Sequence, residues 1–169
     1  IRDRAPYLTR MQKRVQRYAC QFADCILVNA DAVRDWLIGD GYDASKIAVI
    51  RNGVDLTRFD HLPSPINLRR ELALPDDTPI VGVVSRLTRL KGLEQFLEAA
   101  AIVRSRVPTV HFLVVGETNP MDRQYLRELQ EYAARCGVAE HVTFTGLRSD
   151  VPTVLASFTV SVMPSLNEA

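Results

Sequence analysis

Apolar residues along the chain alternate between short continuous runs and stripes that return every three or four positions, and each rhythm predicts a different element. The runs CILVN, KIAVIRNG, IVGVVS, VHFLVVG, HVTFTG and FTVSVMP read as strands buried on both faces, the habit of parallel sheets. Stripes lie between them. They fall in ADAVRDWLIGDG, with Asn29 as its N-cap; in 93–105, with Leu93, Phe96, Leu97, Ala100 and Val103 on one face; in MDRQYLRELQEYAARCG; and in the shorter DVPTVLAS. From Ile80 onward the alternation is regular, and four β-α steps predict an α/β fold with a doubly wound parallel sheet. The two earlier runs and the helix between them predict one β-α-β unit, too little for a stable sheet by itself. A first helix is predicted from about Pro6 to Phe22, apolar at Tyr7, Leu8, Met11, Val15, Tyr18, Ala19 and Phe22 and basic at Arg10, Lys13, Arg14 and Arg17. After Gly53, a stretch containing Pro63, Pro65 and Pro75 offers only a short helical candidate around Leu68–Leu72 and predicts an interdomain crossover. The chain starts inside one α/β unit and stops where a further helix is due, so truncation at both ends is expected.

Composition narrows the classes of partner. With 47% hydrophobic and 24% charged residues the chain can bury a real core, and a net charge of +1 argues against a dedicated nucleic-acid binder. No apolar run approaches a membrane span and the first residues lack a signal-peptide hydrophobic region, so a cytoplasmic location is the default. The basic face of the first helix reads either as a solvated surface or as a contact with an anionic membrane at its inner face. Cys20, Cys25 and Cys136 have no CxxC spacing and read as reduced, partly buried thiols. His61, His111 and His141 are far apart in sequence with no i, i+4 partner, so no metal site is expected.

Candidate chemistry gathers where the strands of the second half end, because ligands of open α/β sheets sit beyond the carboxyl ends of the strands. The loops there are SRLTRLKG, GETNP, GLRSD and PSLNEA. The first supplies Arg86 and Lys91 ahead of a helix whose free N–H groups attract anions, a phosphate site; solvated loop charges are the other reading of the same cations. Gly116 and Gly146 end their strands where a side chain would obstruct a ligand or where φ must be positive, although turn chemistry alone explains both. Two cations, glycine-flanked backbone and the carboxylate of Glu168 suit a phosphate, a flat base and a hydroxylated sugar. Neither GxGxxG after a strand nor GxxxxGK[ST] is present, which weakens dehydrogenase and P-loop readings.

The ordered set VIRNGVDLTRF, VGVVSRLTRLKG, FLVVGETNP, VTFTGLRSDVPTVLAS and VSVMPSLNEA, from about Ala23 to the end, resembles the C-terminal nucleotide-sugar domain of retaining glycosyltransferases of family 4, which have the two-domain GT-B fold. The resemblance implies that residues 1–59 are the trailing part of an N-terminal acceptor domain with the hinge, and that 60–169 are an incomplete, Rossmann-like donor domain. It implies that Arg86 and Lys91 bind the donor diphosphate, and that Glu168 is the first of two family glutamates separated by seven residues, near the donor hexose. Gly116, Glu117, Gly146, Leu147 and Arg148 fall where family loops surround base and ribose, mainly through backbone groups. The implied reaction moves a sugar from a UDP- or GDP-sugar to a glycan, lipid-linked or polysaccharide acceptor, with no cofactor or metal required. GETNP departs from the glycine-rich GxGP-like turn of many members, and Thr159 stands where Asp is common. A nucleotide-sugar epimerase or hydrolase of the same architecture and a non-catalytic nucleotide-sugar-binding subunit are the alternatives. A receiver-like domain lacks the acidic cluster it needs.

Overall fold

A computed structural model describes residues 8–60, 64 and 66–166. The chain forms two compact units, one up to Asp55 and one from Leu56. In the first, helix α1 (Arg10–Cys20) begins later than the apolar stripe predicts, because Thr9 caps it: Thr9 Oγ1 accepts from Gln12 N at 3.2 Å while Gln12 Oε1 accepts from Thr9 N at 2.8 Å. Pro6 and Tyr7 lie outside the described residues. The stripe itself is solvent-facing, with Met11, Val15, Tyr18 and Phe22 all exposed. Strands β1 (Ile26–Val28) and β2 (Ile47–Val49) pair in parallel, and α2 (Asp31–Gly39) buries Val33 and Leu37 against them. Asn29 is not the cap of α2: that position is Ala30, and Asn29 Oδ1 is buried with no hydrogen-bond partner among the described residues. Two cations close helix ends here, Arg17 donating to Asp40 O beyond α2 and Lys46 to Gln21 O beyond α1, where a positive charge meets unsatisfied carbonyls and the negative end of the dipole. Cys25 is exposed, unlike the half-buried Cys20 and Cys136, and all three are free thiols.

After a 3₁₀ turn (Leu56–Phe59), the second unit forms α3 (Ile66–Glu71) and builds a four-stranded parallel sheet in the order β5 (Val142–Gly146), β4 (His111–Val115), β3 (Ile80–Val84), β6 (Val160–Ser161). In order of appearance its strands stand 3-2-1-4, the first four positions of the doubly wound arrangement. All of β4 is buried, and its residues alternate between two cores. Phe112 and Val114 meet α4 (Leu93–Arg106) and α5 (Gln124–Arg135), whereas Leu113 and Val115 meet Leu68 of α3 and Val154 of α6 (Val151–Ser157). A strand sandwiched in this way cannot show polar alternation, which is why it reads as an unbroken apolar run. The β4–β5 register skips Thr145, a bulge that redirects the end of β5 where it leaves the sheet. Thr159 completes the β3–β6 pairing, its hydroxyl accepting from Ile80 N and its own N–H donating to Ile80 O.

Candidate functional site

At the carboxyl end of this sheet the exit loops continue to hydrogen-bond to one another beyond the strands. Ser85 N donates to Val115 O at 3.0 Å, Leu87 N to Glu117 O at 2.9 Å and Gly116 N to Gly146 O at 2.9 Å. Three loops are thereby stitched into one surface. Gly116 makes this possible: its φ is +134°, and a Cβ there would lie 1.8 Å from Ser85 O, so no side chain fits. At Gly146 only the positive φ of +72° favours glycine, since the space around it is open.

The stitched loops enclose a pocket of about 550 Å³ lined by Val84–Arg86 and Thr88, by Val115–Asn119, and by Leu147, Arg148 and Val151. Apolar Val84, Val115, Leu147 and Val151 offer faces for a flat ring. Backbone groups and Ser85, Thr88, Thr118 and Asn119 offer hydrogen bonds, the mix expected of a small-molecule site. Of the residues singled out in the sequence, Arg86, Gly116, Glu117, Leu147 and Arg148 meet in this pocket. Gly146 is outside the lining, bonded through its carbonyl to Gly116 N. Lys91 is half-buried at the end of the 3₁₀ turn Arg89–Lys91, outside the pocket lining. Glu168 lies outside the described residues.

The two pocket arginines differ in kind. Arg86 is exposed, and among the described residues its guanidinium has no hydrogen-bond or ion-pair partner. Arg148 is only 17% exposed and is gripped by two carboxylates. Its Nε and Nη2 donate to the two oxygens of Asp150 at 2.9 and 2.7 Å, and its Nη1 and Nη2 to those of Glu71 at 2.5 and 3.1 Å. The guanidinium holds both carboxyls below their ordinary range, chiefly through these hydrogen bonds. A guanidinium with two bidentate partners has little left for a phosphate. Among the described residues, Arg86 is therefore the pocket cation left free.

The turn carrying Lys91 is braced from several sides. Arg89 lies over the Tyr125 ring, 4.7 Å from its centroid, and donates to Glu128 at 2.5 Å, while Tyr125 OH reaches both oxygens of Glu94 at 2.9 Å. Leu166 N donates to Leu90 O at 2.9 Å, and Gly92, at φ +62°, would bring a Cβ within 2.1 Å of Pro164 O. The segment leading toward Glu168 thus rests on the turn that ends in Lys91. α4 contributes no residue to the pocket lining; its first turn carries Glu94, a carboxylate already suited to the helix dipole. Sequence reasoning missed Glu71, Asp150, Tyr125 and Glu94. Asp150, two residues from Arg148, was the one with a local signal, whereas Glu71 is 77 positions away.

Comparison with known proteins gives the chain its family and fold. Residues 66–169 match the family described as glycosyl transferases group 1, and residues 2–58 match Glycosyltransferase Family 4. The chain is 33% identical over 156 residues to the D-inositol 3-phosphate glycosyltransferase of Corynebacterium urealyticum, covering 87% of this chain and 36% of that protein. It is 39% identical over 93 residues to the GDP-mannose-dependent alpha-(1-6)-phosphatidylinositol monomannoside mannosyltransferase of Mycolicibacterium smegmatis, covering 55% of this chain and 23% of that one. The fold superposes with a TM-score of 0.80 at 28% identity on Anabaena Alr3699/HepE, crystallised with UDP and glucose, over 94% of this chain and 43% of HepE. The chain thus spans about a third of the length of the first of these relatives. No helix among the described residues is long and apolar enough to cross a membrane. Sequence match and sheet architecture agree, and the chain belongs to the glycosyl transferases group 1 family, with the α/β fold of GT-B glycosyltransferases.

Proposed function

We propose that the pocket at the carboxyl end of the second sheet binds the nucleoside diphosphate of a UDP- or GDP-sugar, and that the whole protein transfers the sugar to a glycan, lipid-linked or polysaccharide acceptor with retention of configuration. The observation that carries this is the stitched three-loop pocket with Arg86 unpaired among the described residues at its rim. The UDP bound to HepE and the GDP-mannose dependence of the mannosyltransferase relative support a diphosphate donor without choosing the base.

Breaking the sugar–phosphate bond leaves added negative charge on the β-phosphate. Fixed cations that hold the leaving group more strongly than the intact donor lower the barrier. Arg86 can engage two phosphate oxygens at once, and Lys91, carried by the same loop, adds a compact charge. In this reading these cations do the work of a metal ion, so turnover of the whole protein persists in chelator. A glutamate at 168 would accept hydrogen bonds from donor hydroxyls and orient the sugar. The pocket is mapped by titrating isotopically labelled chain with UDP and with GDP. Amide shifts are expected at 84–88, 115–119 and 146–151; shifts confined to other surfaces would refute the assignment.

A further inference from the structure

We infer that Glu71, which does not line the pocket, is a positioning residue for nucleotide binding and acts by anchoring Arg148; the inference rests on the nucleotide reading of the pocket. The wall is formed by Leu147 and Arg148 of the connection between β5 and α6 and by Val151, the first residue of α6. That connection leaves the sheet through a bulge and a glycine at positive φ, and Leu147 at its crest is 72% exposed. Little apolar packing fixes it. Its one deeply held side chain is Arg148, whose two carboxylate partners are not equivalent. Asp150 is part of the same connection, at the start of α6, so their pairing ties the loop only to the helix that directly follows it. Glu71 ends α3, a helix seated in the core through Leu68, which is 2% exposed, and tied further by Arg69 Nε donating to Thr78 O at 3.1 Å. Among the described residues Glu71 is the only side-chain partner of Arg148 outside the loop. Beside the backbone bond from Gly116 N to Gly146 O at the start of the connection, the bidentate fork between them is the side-chain tie that holds the pocket wall.

The same contact has a competing electrostatic consequence, and the two roles have opposite signs. If Glu71 served only to neutralise Arg148, removing its charge would release a cation beside the phosphates and tighten binding. As an anchor, its loss frees the wall and weakens binding. Glu71→Gln keeps the size of the side chain and removes the charge-assisted fork. Two measurements on this chain, wild type and variant, decide the matter: calorimetric affinity for UDP and GDP, and amide hydrogen exchange without nucleotide. The expected result is exchange at 146–151 faster by about tenfold, core amides of β3 and β4 unchanged, and a Kd raised by about tenfold, equivalent to about 1.4 kcal/mol. Unchanged exchange at 146–151 overturns the anchor, and equal or tighter binding by the variant overturns the positioning role. A wild-type chain that binds neither nucleotide overturns the nucleotide reading and this inference with it, while the exchange data still report whether the anchor exists.

Discussion

Charge counts for less at this site than what each charge is bonded to. Arg86 and Arg148 are alike in sequence, yet one is presented to solvent at the pocket rim and the other is consumed by Glu71 and Asp150. Arg86→Ala is expected to weaken UDP or GDP binding by about ten- to a hundredfold, the loss of a charge-assisted contact of about 1.5–3 kcal/mol, with thermal stability unchanged; a calorimetric titration checks both arms. Gly116→Ala is expected to destabilise the second unit by about 3 kcal/mol or more in denaturant unfolding, because the new Cβ meets the backbone at Ser85 O. His111 is expected to make stability depend on pH near neutrality: buried on β4, close to Thr143 Oγ1 and near His141, it is held below its ordinary range mainly by desolvation. The folded state therefore binds this proton less readily than the unfolded chain. Its contribution is complete above about pH 6.5 and is lost as pH falls through the lower folded value. Stability measured between pH 7.5 and 5.5 is expected to fall in the wild type and to fall less in His111→Asn; equal slopes would exclude His111 as the cause. Arg86 was legible as a candidate because it follows a buried strand, at the edge where ligands of open α/β sheets sit, although position alone fits a solvated loop charge equally. The fate of Arg148 was not, since its anchor lies far away in sequence and ion pairing leaves no periodic trace.

Elements of the second unit were legible because both rhythms are strong there. β3, β4 and β5 lie inside the apolar runs, and α4 carries Leu93, Phe96, Leu97 and Ala100 inward as the stripe predicts, whereas Val103 near its end is exposed. Boundaries set by side-chain hydrogen bonds were less visible. A capping box at Thr9 and Gln12 starts α1 later than its apolar stripe, and Ala30 rather than Asn29 precedes α2. β6 keeps only Val160–Ser161 of the run FTVSVMP, because the chain after it turns to dock on the 3₁₀ turn at Leu90. At this scale Tyr125 joins α5 to the first turn of α4, fully buried with its hydroxyl on Glu94. Burial and the neighbouring carboxylate push the phenol well above its ordinary range, so it stays a neutral donor. Tyr125→Phe is expected to lower stability by about 1 kcal/mol in urea unfolding. An unchanged midpoint would mean that the ring alone holds the two helices together.

Across the molecule, the alternation of strand and helix specifies the sheet, the sheet order aligns the strand ends, and the exit loops join into a pocket that no single motif announces. The first unit contributes a β-α-β piece whose helix ends are closed by Arg17 and Lys46, and its exposed α1 stripe shows how little a periodic pattern says about what a helix packs against. Family membership follows from the match over residues 66–169, whereas the donor, the acceptor and the stereochemical outcome belong to the whole protein. The central claim is that the second unit holds a nucleoside diphosphate through fixed cations, and the most direct measurement is calorimetric titration of this chain with UDP, GDP and ADP beside an Arg86→Ala/Lys91→Ala double variant. Saturable binding that prefers one base and disappears in the double variant is the result expected. Binding that survives loss of both cations, or a wild-type chain that binds none of the three, would contradict it.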